Sequence, residues 1–226
     1  MMYDDDEKSF RNRQDAGEQL ARFLEPRYGD LAALVVGIPR GGVEVAYYVA
    51  KRLNLPLTLV VAKKLPYPDH QEVGFGAVAE DNSVYINQKG RDYLKPDTIY
   101  KIIEKQTDEV HRRVQLYRQG EPLPDMKGKN ILVVDDGIAT GVTLVPVVRL
   151  CRQKEAGRVV VAAPVSGRNF DEHLYEEADA VEVLYQPQPF FGVGQAYDSF
   201  GDFTDQELLD LMGRGSGRTF DFSNRN

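Results

Sequence analysis

One segment limits what this chain can fold into more than any other: Ile131–Thr143, ILVVDDGIATGVT. An apolar run ends in two adjacent carboxylates, Asp135 and Asp136, and a Gly-rich turn follows. So short a continuous apolar run fits a strand buried on both faces, hence one inside a parallel sheet. In open α/β sheets the ligand sits beyond the carboxyl ends of such strands. A turn that opens a helix points unpaired backbone N–H groups at that place and forms an anion site. Gly137 and Gly141 let the main chain approach a phosphate, Thr140 and Thr143 add hydroxyl donors, and Ile138, Ala139 and Val142 complete the loop. A loop for nucleotide β- and γ-phosphates needs a lysine before its last Ser/Thr, and here Val142 occupies that place. The segment therefore suits a monophosphate. Two carboxylates beside an anion need something between them, and a ribose fits. Its hydroxyls donate to Asp135 and Asp136 while the loop holds its 5′-phosphate.

The remaining chain supplies a matching framework. The spacing predicts a helix over 11–24 stopped by Pro26 and Gly29, a strand over 31–37, a helix over 43–53 and a strand over 57–62. Such β-α-β units have parallel strands. Residues 63–70, KKLPYPDH, are polar with two prolines and are expected as a loop. Short strands over 73–79 and 83–87 suggest a hairpin. A long helix is expected over 96–119, a third strong strand over 130–134 and a helix over 140–154 with Pro146 early in it. A strand over 158–163, a short helix over 170–177 and a strand over 180–185 follow. Residues 204–212 form a helix capped by Thr204 with Glu207 in the capping-box place. Residues 1–10 and 213–226 are expected to be disordered. The fold class is α/β: an open, mainly parallel twisted sheet with helices on both faces, an antiparallel hairpin and a small C-terminal appendage, as a single domain over 1–212.

Charge and cysteine content narrow the function. There are 28 Lys+Arg against 35 Asp+Glu, a net charge of −7, which opposes a broad grip on nucleic acid or an anionic membrane. Basic residues on the long helix, Lys101, Lys105, Arg112, Arg113 and Arg118, are interleaved with Glu104, Asp108 and Glu109, which suggests a solvated or dimer-facing surface. The single cysteine, Cys151, excludes an intrachain disulfide and a Cys-based zinc site. The start, MMYDDDEKSF, has no apolar h-region, and no apolar run reaches the length of a membrane span, so a cytoplasmic protein is expected.

VVDDGIATGVT resembles the signature of the type I phosphoribosyltransferases: apolar strand, acidic pair, Thr-Gly-x-Thr loop. Gly37-Ile38-Pro39-Arg40-Gly41-Gly42 stands where that family has its pyrophosphate loop, and the resemblance implies a cis peptide at Arg40–Gly41. Lys63-Lys64 stands where a flexible loop brings a cation to the pyrophosphate. Lys64 is the candidate, and 65–80 is the expected lid. PQPFFGVGQAYDSF, residues 187–200, resembles the hood of the purine-type members, and the hood spans about 186–203. Phe191 is its candidate stacking residue and Asp198 its candidate acid. Arg11, Arg13 and Ala16-Gly17 with Leu20 resemble the start of a less-characterised branch of the family.

The resemblance implies transfer of 5-phosphoribosyl from 5-phosphoribosyl 1-diphosphate to a base or amine, with release of pyrophosphate. It implies Mg²⁺, with Asp135, Asp136 and Asp198 as candidate ligands, and Arg40, Gly41, Gly42 and residues 137–143 as the substrate cradle. A homodimer fits the family. The alternative is a regulator that binds phosphoribosyl diphosphate without catalysis. One position departs from purine-using relatives, which commonly carry a carboxylate where this chain has Ala139. No proton acceptor stands there, so an acceptor other than a standard 6-oxopurine is expected.

Overall fold

The structure, a computed structural model, describes residues 10–213. Strands β1 (Leu34–Gly37), β2 (Leu57–Leu59), β6 (Asn130–Val134), β7 (Arg158–Val165) and β8 (Ala180–Tyr185) form one sheet in the order β2-β1-β6-β7-β8. Every neighbouring pair in it is parallel. The second sheet is antiparallel, β3 (Ala62–Tyr67), β4 (His70–Ala79) and β5 (Val84–Ile86).

β1, β2, β6 and β7 are buried on both faces because their side chains alternate between two cores, while the edge strand β8 is half-buried. Val35, Leu132, Val134 and Val160 pack with Leu20 and Leu24 of α1 (Arg13–Tyr28) and Val45 and Val49 of α2 (Gly41–Leu53). Val36, Ile131, Val133 and Val161 pack with Val145, Val148 and Cys151 of α5 (Leu144–Gln153) on the other face. The predicted layering of helices on both faces is thus present. Burial pushes the Cys151 thiol up to about 12, so it is a packing residue rather than a nucleophile.

Several local expectations need correction. Pro26 does not stop the first helix. It sits inside the last turn of α1, and the helix ends where the Gly29 N–H donates to Glu25 O at 2.9 Å. Phe10 belongs to no disordered lead; it is 1% exposed and packs at a tilt against Tyr197 with ring centroids 5.4 Å apart. Residues 1–9 and 214–226, to which the other disorder expectations apply, lie outside the described residues. Residues 63–67 are strand, not loop, because Lys63 and Lys64 pair with Val78 and Ala77 across β4. The expected lid over 65–80 is therefore a two-stranded arm turning at Pro68 and Asp69. Residues 140–143 are an irregular turn rather than helix, and α5 begins only at Leu144.

A short helix, α3 (Gln88–Tyr93), was not anticipated; the Asn87 side chain caps it by accepting from Gly90 N at 2.8 Å. The long helix α4 (Pro96–Arg118) has Pro96 in its first turn as expected. Its basic residues are partly engaged on the helix itself. Glu109 accepts from Arg112 and Arg113, and the Arg112 contact leads in holding its carboxyl at about 2. The helices α6 (His173–Glu177) and α7 (Asp205–Gly213) complete the fold. Thr204 and Glu207 exchange the reciprocal bonds of a capping box at the start of α7. No helix among the described residues is long and apolar enough to cross a membrane.

Candidate active site

The site is assembled by strand pairing. β1 and β6 are neighbours in register, with Gly37 opposite Val134, so the loops that leave their carboxyl ends lie side by side. After β1 comes 38–42, which leads into α2; after β6 comes 135–143, which leads into α5. The contact between these loops leaves no room for side chains on the first. A Cβ at Gly42 would lie 2.5 Å from Asp135 Oδ1, and one at Gly41 would overlap Asp136 Oδ2. The cis bond in the first loop is Pro39–Arg40, one position before the expected Arg40–Gly41.

Both loops offer unpaired donors. The N–H groups of Arg40, Gly41 and Gly42 and those of residues 139–143 meet no backbone acceptor among the described residues. Gly141 adopts φ +74°, a conformation that glycine takes at no steric cost and that lets the second loop fold back. Two arrays of backbone donors therefore flank the acidic pair.

The pair is recessed and asymmetric. Asp135 Oδ1 accepts from the Asp136 N–H at 2.9 Å. Asp136 Oδ2 accepts from Arg13 Nε at 2.8 Å. Arg13 also donates through Nη1 to Gly201 O at 2.7 Å and lies over the Phe200 ring, 4.1 Å from its centroid. The Tyr197 hydroxyl donates to Asp136 O at 2.6 Å. Burial, then the charge of Asp136, pushes the Asp135 carboxyl well above its ordinary range. Burial raises Asp136 too, against the opposing pull of Arg13.

A raised carboxyl pKa has a defined sign in stability. Between the unfolded value near 3.9 and the higher folded value, the native state holds more protons than the unfolded chain, so stability falls as pH rises through that window. Asp135→Asn should remove this penalty. At pH 7 the ligand-free variant is expected to melt roughly 2–4 °C above wild type, the equivalent of about 1 kcal/mol in a chain of this size. The gap should close as pH falls toward about 4. Asp136→Asn should instead melt lower, because it strands the buried guanidinium of Arg13. Thermal melts of both variants across pH check the two opposite signs.

The cations sit around this centre. Arg40 is half-exposed, with Nη1 3.6 Å from Asp205 Oδ1 on α7. The two lysines of β3 face opposite ways, as strand alternation requires. Lys63 is half-buried; desolvation holds its ammonium below the usual range, with Arg113 and Arg40 adding to the effect. The Lys64 stem lies beside Gly74, on the face of the arm nearest Val142 of the second loop. Its Nζ donates to Glu72 O at 2.7 Å.

The C-terminal segment closes the other end. A cleft of about 350 Å³ opens between Ala139, the Gly167–Asn169 turn and Pro187–Phe190. Phe190 lines it, and a Cβ on Gly167 would come within 2.8 Å of that ring. The candidate Phe191 points elsewhere and is 85% exposed. Asp198 is also exposed; its N–H donates to Phe10 O at 2.8 Å, and it is the neighbouring Tyr197 that reaches the acidic pair.

A model of the phosphoribosyl transferase domain matches residues 10–198. The chain belongs to the phosphoribosyl transferase domain family. Two Mycobacterium tuberculosis proteins, one from each of two strains and each named "Putative phosphoribosyl transferase", are 37% identical over 210 residues. These matches cover 92% of this chain and 47% of each relative, so the chain spans about half the length of the curated relatives it matches. The crystal structure of TT1426 from Thermus thermophilus is similar at 35% identity and a TM-score of 0.75, over 90% of this chain and 97% of that one.

In this phosphoribosyl transferase domain, no cluster of three metal-ligating His, Cys, Asp or Glu side chains occurs among the described residues. Asp135 and Asp136 nonetheless fit Mg²⁺. They are hard oxygen donors flanked by two loops with unpaired backbone N–H groups, and that ion takes one or two carboxylates and completes its shell with water and other oxygens. Sequence reasoning assigned no role to Arg13 or Tyr197. Arg13 lies 123 positions from its partner Asp136, with no local pattern to join them. Tyr197 sat in an aromatic cluster that equally suits simple packing.

Proposed function

We propose that the domain transfers 5-phosphoribosyl from 5-phosphoribosyl 1-diphosphate to a nitrogen acceptor, releasing pyrophosphate. The observation that carries this reading is the convergence of two unpaired N–H arrays, at 40–42 and 139–143, on the Asp135–Asp136 pair. One array suits the diphosphate and the other the 5′-phosphate, and the carboxylates between them accept from the ribose hydroxyls. Arg40 and, from the β3–β4 arm, Lys64 add charge near the leaving group. Arg13 holds Asp136 in place through Nε and ties it to the backbone at Gly201.

The C1–O bond breaks with its electron pair leaving on the diphosphate, and the acceptor nitrogen's lone pair forms the new bond to C1. Positive charge develops at C1 and the ring oxygen, as in glycosyl transfer generally. Asp135 and Asp136 orient the ribose for that displacement. Bound Mg²⁺, held by the same two carboxylates directly or through water, would neutralise charge on the departing diphosphate.

The test is pyrophosphate release from purified protein given phosphoribosyl diphosphate, Mg²⁺ and a panel of bases and amines. Turnover with at least one acceptor is expected, with kcat roughly 1–10³ s⁻¹. A thermal shift with phosphoribosyl diphosphate but no release from any acceptor would instead favour a sensor of that compound.

A further inference from the structure

We infer that the acceptor is a heteroaromatic anion, whose acidic oxygens are gripped by Arg168 and whose attacking nitrogen carries no proton. The inference rests on the transfer reaction proposed above and adds the chemistry of the second substrate.

The cleft beside Ala139 is the place to read it. Its volume of about 350 Å³ is near the lower end for ligand pockets, which suits one small ring system. Apolar Ala139, Pro187, Pro189 and Phe190 line it together with polar Arg168, Asn169 and Gln188, and Gly167 packs directly against the Phe190 ring. Arg168 is the only ionisable side chain in its lining. There is no Asp, Glu, His, Lys, Cys or Tyr to take a proton from an acceptor, and Ala139 leaves the nearest loop position without one.

The arginine is also oriented. With the Gln188 amide turned to suit the donors it faces, its oxygen accepts from Arg168 Nε at 2.9 Å and Nη1 at 3.2 Å. A guanidinium has five N–H donors, so the second Nη1 proton and both Nη2 protons are left for a ligand. That fork matches a carboxylate or an enolate–carbonyl edge. A neutral lactam or amide offers it at most one acceptor of lower charge.

The proton balance agrees with this. Diphosphate leaves with the electron pair of the C1–O bond, and the incoming nitrogen supplies its own pair. A pyridine-type nitrogen, or a ring nitrogen already deprotonated in solution, gives up no proton in the step. A site without a base then suffices.

The experiment compares matched acceptors that differ in charge but share a pyridine-type nitrogen, nicotinate against nicotinamide and imidazole-4-carboxylate against imidazole-4-carboxamide, with hypoxanthine as the neutral purine. A thermal shift with phosphoribosyl diphosphate, run beside it, reports the first substrate independently. The anionic member of at least one pair is expected to show kcat/KM tenfold or more above its neutral partner. Arg168→Met should lower kcat/KM for that anion by roughly 10²-fold, mostly through KM, and leave the phosphoribosyl diphosphate shift intact. Arg168→Lys should recover only part of it. Arg168 is exposed, so these variants should keep the fold. Equal or better use of neutral acceptors would overturn the inference. So would release from none of the anions, or an anion preference that survives in Arg168→Met. Loss of the phosphoribosyl diphosphate shift in wild type would instead overturn the transfer reading beneath it.

Discussion

Gly41→Ala should weaken phosphoribosyl diphosphate binding by roughly 10²-fold, about 2.8 kcal/mol. The added Cβ would overlap Asp136 Oδ2 and lie 2.5 Å from Arg13 Nε. Neither neighbour is the free end of a solvated side chain. The Arg13 and Asp136 side chains are 10% and 18% exposed and bonded to each other. The methyl group is accommodated only by parting that pair or by backing the 38–42 loop away from β6. Parting a buried pair typically costs about 3–5 kcal/mol. Either movement disturbs together an N–H array and a carboxylate that the proposed function assigns to the ribose. Gly201→Ala is the control: its carbonyl also meets Arg13, but its Cβ would point into open space. Calorimetric titration of both variants checks the claim. Gly41→Ala affinity within about threefold of wild type would show that the loops are not in the contact described.

Glu80→Leu should produce the largest loss of stability, about 3–5 kcal/mol, or roughly 6–20 °C in melting temperature. Glu80 and Arg118 are 8% and 6% exposed and meet at 2.6 Å. Glu80 Oε2 also accepts from the Val61 N–H at 2.8 Å, and Arg118 Nη1 donates to Leu59 O at 3.0 Å. The pair therefore pins the link between β2 and β3 to the end of α4. Removing the carboxylate leaves the buried guanidinium with only the Leu59 carbonyl and no counter-charge, and the Val61 N–H with no partner, while Arg118 Nε already lacks one. The double variant Glu80→Leu/Arg118→Leu should recover much of the loss, because an apolar pair carries no uncompensated charge. A drop below about 3 °C for the single variant would mean that water reaches the site. None of the hydrogen bonds and ion pairs of Glu80 or Arg118 reaches Asp135 or Asp136, so phosphoribosyl diphosphate affinity well below the melting temperature should be unchanged.

Most of the parallel sheet was legible because β1, β2, β6 and β7 are largely continuous apolar runs. β6 over 130–134 and β8 over 180–185 were expected at their observed bounds, since turn residues fence both sides of each. The hairpin arm was harder. Lys63-Lys64 and two prolines look like loop, yet cross-strand pairing with 70–79 holds them extended, and local propensity does not report such partners. Pro26 misled for a related reason. A proline in the last turn forfeits one backbone bond, and tertiary packing of Leu24 and Tyr28 offsets that cost.

The chemistry of the site was legible where it is contiguous. Asp135, Asp136 and the Gly-Thr loop announce themselves within one segment. Arg13 joins them only through the fold, and so does Tyr197. The choice between Phe190 and Phe191 depended on the path of an aperiodic segment. Adjacent residues there face opposite ways, and nothing in the local pattern says which one turns inward.

The most direct test of the central claim is calorimetric titration of phosphoribosyl diphosphate with Mg²⁺ into wild type and into Asp135→Asn/Asp136→Asn, with circular dichroism to confirm that both are folded. Hydrogen bonds to charged groups contribute about 1.5–3 kcal/mol each, so loss of two should weaken binding by roughly 10²–10⁴-fold. Clear binding by wild type and a loss of that size in the double variant is the predicted result. Equal affinity in the two proteins, or no binding by wild type, would contradict the account.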